Sequence, residues 1–306
     1  MRSADGSITH FHTGARRIDD AFAFATFLGA DSGHSEDKNG VDEDDDYFMS
    51  VRQLVYQLLH SAKAAHLPVL VLCTPEVAPS KIVKLEADGA TIVNVQQVRS
   101  SWLHTSEPRW ADMLTKLQLF GLTNFTKICY LDADTLVLGD LSGIFHDPAT
   151  AFQSTLADAP QARLSEIQLP ESYTLAGHID YGWYTGHVLS TEIGADAYMN
   201  AGFFVFAPSQ ALFDYYSALL EHQGLFDPYM MEQSLLNYAH HRQSNMPWQP
   251  LSPMWNVNWP TKQDLDAGVL SFHDKYWEGA LGVSLIIALV SVSERAHSSS
   301  IVHRTA

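Results

Sequence analysis

The sequence is poor in cysteine, in basic residues and in long apolar runs, and each shortage excludes a class of protein. Only 2 of the 306 residues are cysteine, which excludes a disulfide-stabilised scaffold and fits a reducing compartment such as the cytoplasm. Lys and Arg total 18 against 35 Asp and Glu, for a net charge of −17. This acidity argues against nucleic acid and anionic membranes as partners.

No apolar run approaches the roughly 20 residues that a membrane-spanning helix requires, and the first residues lack the apolar segment of a secretory signal. We therefore expect a cytoplasmic protein without a membrane span. Hydrophobic residues make up 46% of the chain and charged residues 17%, which is enough for a sizeable globular core.

Short apolar segments rich in β-branched and aromatic residues alternate with helical patterns, which is typical of α/β proteins. The predicted strands are 21–30, VLVLC at 69–73, TIVNV at 91–95, KICYL at 127–131 and GFFVFAP at 202–208. The predicted helices are 47–66, 80–90, 113–122, 209–222 and 230–240. Right-handed crossovers would place the strands in a mostly parallel, Rossmann-like sheet flanked by helices, within a single domain.

Two segments of the chain are polar and separate the predicted elements. Residues 31–46, which include five consecutive acidic residues, are typical of a solvated loop, and residues 153–199 form a polar, glycine-containing segment.

The sharpest motif is Asp132-Ala133-Asp134, which directly follows the apolar strand KICYL. Open α/β sheets bind ligands at the carboxyl ends of their strands, and two carboxylates there would suit a hard divalent cation. By itself Asp-x-Asp is a weak signal, because two turn or capping aspartates look the same. The apolar strand before the motif and TLVL after it favour a metal site.

Together, YLDADTLVL, NAGFFVFAPS and EQSLLN occur in an order that resembles glycosyltransferase family eight, the family of glycogenin and galactinol synthase. The resemblance covers roughly residues 20–277 and is closer to an uncharacterised fungal-type member than to glycogenin itself. It implies a GT-A fold and retaining transfer of a hexose from a UDP-sugar, with Mn²⁺ or alternatively Mg²⁺. The expected transferase domain is 18–278, followed by an atypical tail at 279–306.

The resemblance also assigns site residues. Asp132, Asp134 and His273 would bind the metal. The donor-binding residues would be Tyr47, Lys116, Asp132, Ala133, Asp134, Asn200 and Lys275, and the catalytic residues Glu232, Gln233 and Asp180.

The chain departs from the family pattern at several of these positions. Glu232 replaces the usual Asp, fewer residues separate His273 from Lys275, and an acidic insertion precedes Tyr47. Asp196 competes with Asp180 for the contact with sugar hydroxyls.

The acceptor is not identified by the sequence. No tyrosine lies between Tyr238 and Tyr276, where glycogenin carries its self-glucosylated residue, so we expect a separate sugar, polyol or glycan acceptor. The three tryptophans of this region are interpreted either as a sugar-stacking platform or as packing residues. They are Trp248, Trp255 and Trp259, which cluster with Asn256 and Asn258.

Two other functions remain open at this point. Asp132 also fits the covalent nucleophile of a haloacid dehalogenase-type phosphotransferase. That function requires an acidic pair after a further apolar strand, whereas Asp264 and Asp266 follow the polar TKQ. The other possibility is a catalytically impaired protein that binds sugar nucleotides without turnover.

Overall fold

The computed structural model describes residues 21–29, 45–60, 66–103, 112–157, 168–180, 189–194 and 196–275. Its strands are β1 (Phe22–Leu28), β2 (Val69–Cys73), β3 (Thr91–Asn94), β4 (Lys127–Leu131), β5 (Thr135–Val137), β6 (Gln153–Ser154), β7 (Ser172–Tyr173), β8 (Leu175–Ile179), β9 (Met199–Phe206), β10 (Gln249–Pro250), β11 (Val257–Asn258) and β12 (Ser271–His273). Its α-helices are α1 (Asp46–His60), α2 (Pro79–Ala87), α3 (Gln210–Leu219), α4 (Glu232–Ala239) and α5 (Lys262–Ala267). Short 3-10 helices span Met113–Gly121, Ser142–His146, Pro148–Thr150 and Pro228–Met230.

Seven of the described strands form the central sheet, in the order β10-β8-β9-β4-β1-β2-β3. All neighbours pair in parallel except β9, which runs antiparallel to β4 and β8. The predicted mostly parallel α/β sheet is therefore confirmed. Because β4 lies in the middle of the sheet, the Asp132–Asp134 motif leaves it at the centre of the carboxyl edge.

Each face of the sheet is covered by apolar side chains. On one face, α1 buries Phe48, Val51, Leu54, Val55 and Leu58, spaced three and four residues apart as one face of a helix requires. On the other face, α3, α4 and the 3-10 helix Met113–Gly121 pack in a second cluster. Both cysteines are buried as free thiols, as expected of small core residues.

A second, three-stranded sheet brings the end of the described chain back to the motif. Strand β12 pairs antiparallel with β5 and parallel with β11. In this register His273 lies opposite Thr135, the residue after Asp134. The pairing explains how a histidine so distant in sequence reaches the aspartates.

The structure corrects the sequence predictions in three places. The segment 153–199, for which the sequence predicts no strand, contains β6, β7 and β8, the last of which belongs to the central sheet. Strand β9 begins at Met199, before its predicted start at 202. The predicted helix 113–122 is a 3-10 helix. The short β8, LAGHI, lacks the long apolar run that marks the other central strands.

Other predictions fall outside the described residues, namely most of the acidic loop 31–46, the ends of the predicted domain 18–278 and the tail 279–306. Within the described ranges, no helix combines the length and apolarity that crossing a membrane demands.

Candidate active site

Asp132, Asp134 and His273 converge at the carboxyl edge of the central sheet. Each offers one ligand atom, and these atoms all lie within 4.8 Å of one another. Nε2 of His273 is 2.9 Å from Oδ1 of Asp134 and 3.8 Å from Oδ2 of Asp132. Two carboxylate oxygens and one imidazole nitrogen form a mixed donor set that suits Mn²⁺. These three residues could therefore hold a metal ion.

A glycine makes this convergence possible. Gly202 of β9 accepts a hydrogen bond at its carbonyl oxygen from the backbone N of Asp132, at 2.7 Å. A Cβ on Gly202 would lie 2.1 Å from Cε1 of His273 and 2.8 Å from Oδ2 of Asp132. Any side chain at this position would displace His273 from the aspartates. The close approach of β9 to the site thus depends on the missing Cβ.

Lys116 is buried beside Asp132, with 3% of its side chain exposed. Its Nζ lies 2.8 Å from Oδ1 of Asp132 and 2.9 Å from Oε1 of Glu232. Tyr130 of β4 completes the arrangement, because its hydroxyl donates to Oδ1 of Asp132 at 2.7 Å and its ring centroid lies 4.8 Å from Nζ. Lys116 therefore links the predicted metal site to the predicted catalytic carboxylate.

Glu232 and Gln233 are the first two residues of α4. Gln233 is held at both ends of its amide, because Oε1 accepts from the backbone N of Ala201 at 2.8 Å and Nε2 donates to Oδ2 of Asp180 at 2.9 Å. The helix is preceded by Met231, a non-glycine residue at a positive φ of 50°. Such strained backbone is characteristic of sites that require a fixed geometry.

Asp180 joins this group and Asp196 does not. Asp180 accepts hydrogen bonds from Nε2 of Gln233 and, at 3.3 Å, from Nδ2 of Asn258. Asp196, in contrast, is exposed. Asn200 lies nearby, and its Oδ1 accepts from the backbone N of Gly202 at 2.9 Å. Of the two candidates from the sequence, the structure places Asp180 against the predicted catalytic glutamine.

The remaining predicted residues lie around the same edge. The Tyr47 hydroxyl donates to the carbonyl oxygen of Phe27 at 3.4 Å, at the end of β1. Burial and the nearby Asp132 and Asp134 carboxylates raise the pKa of Tyr47 well above its ordinary value. Ala133 is fully buried, and Lys275 is partly buried two residues after His273. The role of Lys275 stays a prediction.

The charges of the site are strongly coupled. Burial raises the pKa of Glu232, and Lys116 only partly opposes it. Burial would also raise the pKa of Asp134, but His273 and Lys116 hold it below its ordinary value. Burial lowers the pKa of His273, and the two aspartates outweigh that effect and raise it to about 9. In the metal-free protein His273 is thus protonated at neutral pH.

We expect Mn²⁺ affinity to rise with pH, by up to about tenfold per unit below about pH 9, because His273 must lose its proton before it can bind a metal. Titration calorimetry in buffers of different ionisation enthalpy would measure both the affinity and the released proton. His273→Gln should abolish the proton release. An affinity that is independent of pH over this range would contradict the expectation.

The same proton stabilises the metal-free fold. The pKa of His273 is raised above its unfolded value, so its contribution is fully present below about pH 6.5 and is lost as the pH rises through about 9.

Three contributors to the site were not predicted from the sequence. Tyr130 reads as an ordinary aromatic in a strand, and Gly202 as one glycine of a strand motif. Asn237 follows Gln233 by one helical turn and donates to its backbone oxygen at 2.8 Å, while also binding both backbone groups of Met199. The four-residue spacing from Gln233 is the one signal that could have indicated Asn237.

The tryptophans do not form one platform. Trp248 is completely buried, so its interpretation as a sugar-stacking residue is wrong. Trp255 is partly buried, and its Nε1 donates to Oδ2 of Asp147 at 2.7 Å. Trp259 is partly exposed and has a positive φ of 56°. Packing therefore explains Trp248 and Trp255 better than ligand stacking does.

Comparison with known families shows which family the chain belongs to. The family model described as Glycosyl transferase family 8 matches residues 41–275, which include every predicted site residue. The chain belongs to glycosyl transferase family 8. Asp264 and Asp266 lie in α5 and not after an apolar strand, so the phosphotransferase alternative loses its required acidic pair.

Relatives of this family 8 glycosyltransferase include Uncharacterized protein C4C3.09 of Schizosaccharomyces pombe. It is 31% identical over 263 residues, which cover 77% of this chain and 69% of that protein. Human Glycogenin-1 is 28% identical over 173 residues, which cover 55% of this chain and 38% of that protein. The expected closer similarity to a fungal-type member than to glycogenin is confirmed.

A solved structure of an active-site mutant of LgtC has a TM-score of 0.50 to this family 8 member at 11% identity. The match covers 88% of this chain and 95% of that chain. At this identity the similarity supports the fold alone, and it agrees with the predicted GT-A architecture.

Proposed function

We propose that this family 8 glycosyltransferase transfers a hexose from a UDP-sugar to a hydroxyl acceptor with retention of configuration, using Mn²⁺, with Mg²⁺ as the alternative. The observation that carries the proposal is the convergence of Asp132, Asp134 and His273 next to the buried pair Lys116–Glu232. A cation site adjoining a second, carboxylate-containing site matches a donor with a diphosphate at one end and a sugar at the other.

Asp132, Asp134 and His273 would hold the cation, which when bound would offset the negative charge of the donor diphosphate. Lys275 would add a second positive charge near the leaving group. Tyr47 would contact the base, and Ala133 would contact the donor through its backbone. Lys116 keeps Asp132 and Glu232 at fixed positions, so the donor meets a preorganised site.

The catalytic residues would act on the sugar. Asp180 and Asn200 would orient its hydroxyl groups, and Gln233 and Glu232 would stabilise positive charge at the anomeric carbon. The bond from that carbon to the diphosphate oxygen breaks, with its electron pair leaving on UDP. The acceptor oxygen forms the new bond on the same face, and its proton passes to the departing phosphate oxygen. This front-face sequence retains the configuration without a covalent enzyme intermediate.

We expect UDP release from at least one member of a panel of UDP-glucose, UDP-galactose, UDP-xylose and UDP-N-acetylglucosamine in the presence of Mn²⁺. Because the metal would offset the leaving-group charge, EDTA should abolish the release and excess Mn²⁺ should restore it. A coupled UDP assay measures this directly.

Other outcomes of this assay would contradict the proposal. Mg²⁺-dependent hydrolysis of p-nitrophenyl phosphate, without UDP release, would favour the phosphotransferase. Saturable binding of UDP without turnover of any donor would indicate a sugar-nucleotide-binding protein that lacks transferase activity.

A further inference from the structure

A small cavity adjoins the predicted catalytic residues, because Asn258 lines it and donates a hydrogen bond to Asp180. It lies between the end of β8, the segment 189–194 and the chain from β10 to β11. Its polar lining comes from His178, Ser190, Asn256 and Asn258. The space between them holds little more than one water-sized group. The proposed donor site does not account for this cavity.

His178 is buried in the wall of the cavity, with 7% of its surface exposed. The pairing of β8 with β9 is interrupted between Gly177 and His178, and the His178 ring lies 5.6 Å from that of Phe203. Interruptions of this kind re-aim side chains near active sites. Within the described part of the chain, Nε2 of His178 has no hydrogen-bond partner. Burial lowers its pKa to about 3, so the ring is neutral at working pH.

Asn258 supplies a second unsatisfied atom. Its Nδ2 donates to Asp180, but its Oδ1 is buried and has no partner among the described residues. Asp180 in turn accepts a hydrogen bond from Nε2 of Gln233. Hydrogen bonds therefore connect the cavity wall with the predicted catalytic residues Asp180 and Gln233. Two unpaired buried polar atoms are costly, and native proteins normally satisfy them with water or a ligand.

A permanent structural water is a poor explanation for this pair. Buried waters make about three hydrogen bonds, within a range of two to four, to groups that are otherwise unsatisfied, and among the described residues two such atoms line this cavity, the low end of that range. A water held by two bonds is easily displaced. A hydroxyl group can donate its one proton to Oδ1 of Asn258 and accept a hydrogen bond from Nε2 of His178, in the neutral tautomer that carries the ring proton on Nε2.

We propose that this cavity is an acceptor subsite, in which one hydroxyl or hydroxymethyl group of an uncharged sugar or polyol binds to His178 and Asn258. The inference rests on the proposed transferase function. The cavity size restricts it to a single hydroxyl-bearing group, and the neutral lining selects against charged acceptors. His178 is therefore a specificity-determining residue that acts on the acceptor and leaves the donor untouched.

The test compares acceptor-dependent and acceptor-independent UDP release in wild type and His178→Phe. Candidate acceptors are D-glucose, maltose, glycerol and myo-inositol. Each is assayed with Mn²⁺ and with the UDP-sugar that gives the fastest UDP release. We expect at least one compound to stimulate release in the wild type. His178→Phe should raise the KM for that compound at least about tenfold, since it removes the hydrogen bond while keeping a ring. UDP release without acceptor should stay within about twofold of the wild-type rate.

A second measurement does not depend on turnover. Nitrogen-15 NMR of the histidine side chains should show a saturable shift of the His178 Nε2 resonance with the same compound. His146→Phe, at an exposed position, is the matched control and should change neither readout. His178→Phe should leave the melting temperature unchanged or raised, because it removes an unsatisfied buried polar atom. If that variant does not fold, His178→Leu replaces it, since leucine also lacks a hydrogen-bonding group.

The proposal is overturned if no compound of the panel shifts the His178 resonance, or if the variant leaves the acceptor KM unchanged. It is also overturned if release with and without acceptor falls by the same factor, which would mark His178 as structural. Absence of UDP release from every donor would instead refute the transferase function, and the NMR titration would still decide whether the cavity binds sugars or polyols.

Discussion

Asp134→Asn is expected to lower Mn²⁺-dependent UDP release at least about a thousandfold, which corresponds to roughly 4 kcal/mol of transition-state stabilisation. The substitution keeps the shape of the side chain but removes its charge and one of the three converging ligands. Steady-state release of UDP at saturating donor and increasing Mn²⁺ measures the loss. Asp266→Asn, in an exposed ion pair with Lys262, is the control and should retain activity within about twofold.

Asp134 is a cleaner target than Asp132. Oδ1 of Asp132 also binds Lys116 and the Tyr130 hydroxyl, so its replacement would disturb the buried network as well as the metal site. In Asp134→Asn without metal, the pKa of His273 should move back toward its ordinary value, since the nearest carboxylate is gone. The assignment fails if this variant keeps more than a tenth of wild-type release together with its sensitivity to EDTA.

Lys116→Met is expected to destabilise the metal-free protein by about 3–5 kcal/mol, the usual cost of removing one partner of a buried ion pair. The lysine lies between two carboxylates and is almost inaccessible to solvent, so Asp132 and Glu232 would repel each other without compensation. Urea denaturation followed by circular dichroism measures the change. Lys262→Met removes an exposed pair and should have no measurable effect.

Two further measurements separate charge repulsion from lost packing in Lys116→Met. Addition of Mn²⁺ should restore part of the stability, because a bound cation would neutralise Asp132. Glu232→Gln, combined with Lys116→Met, should also recover part of it by removing one of the opposed charges. If neither Mn²⁺ nor the second substitution restores stability, the lost contacts of the lysine chain explain the defect and the electrostatic interpretation is wrong.

Five strands of the central sheet could be predicted from the sequence because each is a largely apolar run, namely β1, β2, β3, β4 and β9. Strand β8 cannot be recognised in the sequence because LAGHI is short, contains glycine and histidine, and borders a polar segment. The local 3-10 geometry of Met113–Gly121 likewise leaves no clear signal, because its apolar residues fit either kind of helix.

For the candidate site, the order of motifs carried more information than local periodicity. It associated His273 with the two aspartates, which the pairing of β12 with β5 then explained. Contacts made by uncharged side chains were the part that could not be predicted. The links from Asn258 to Asp180 and from Tyr130 to Asp132 depend on register and backbone interruptions, and neither residue type distinguishes such a role from ordinary packing.

The pairing of β12 with β5 affects the order in which the protein folds. The aspartates and His273 are about 140 residues apart in the chain, and contacts over such separations form slowly during folding. The three ligands can meet only after β9 is in place beside β4 and β12 has docked. A cation would therefore bind tightly to finished molecules and weakly to partly folded ones, and would stabilise the finished population by mass action. Metal binding would therefore favour completely folded molecules, in addition to its proposed role in glycosyl transfer.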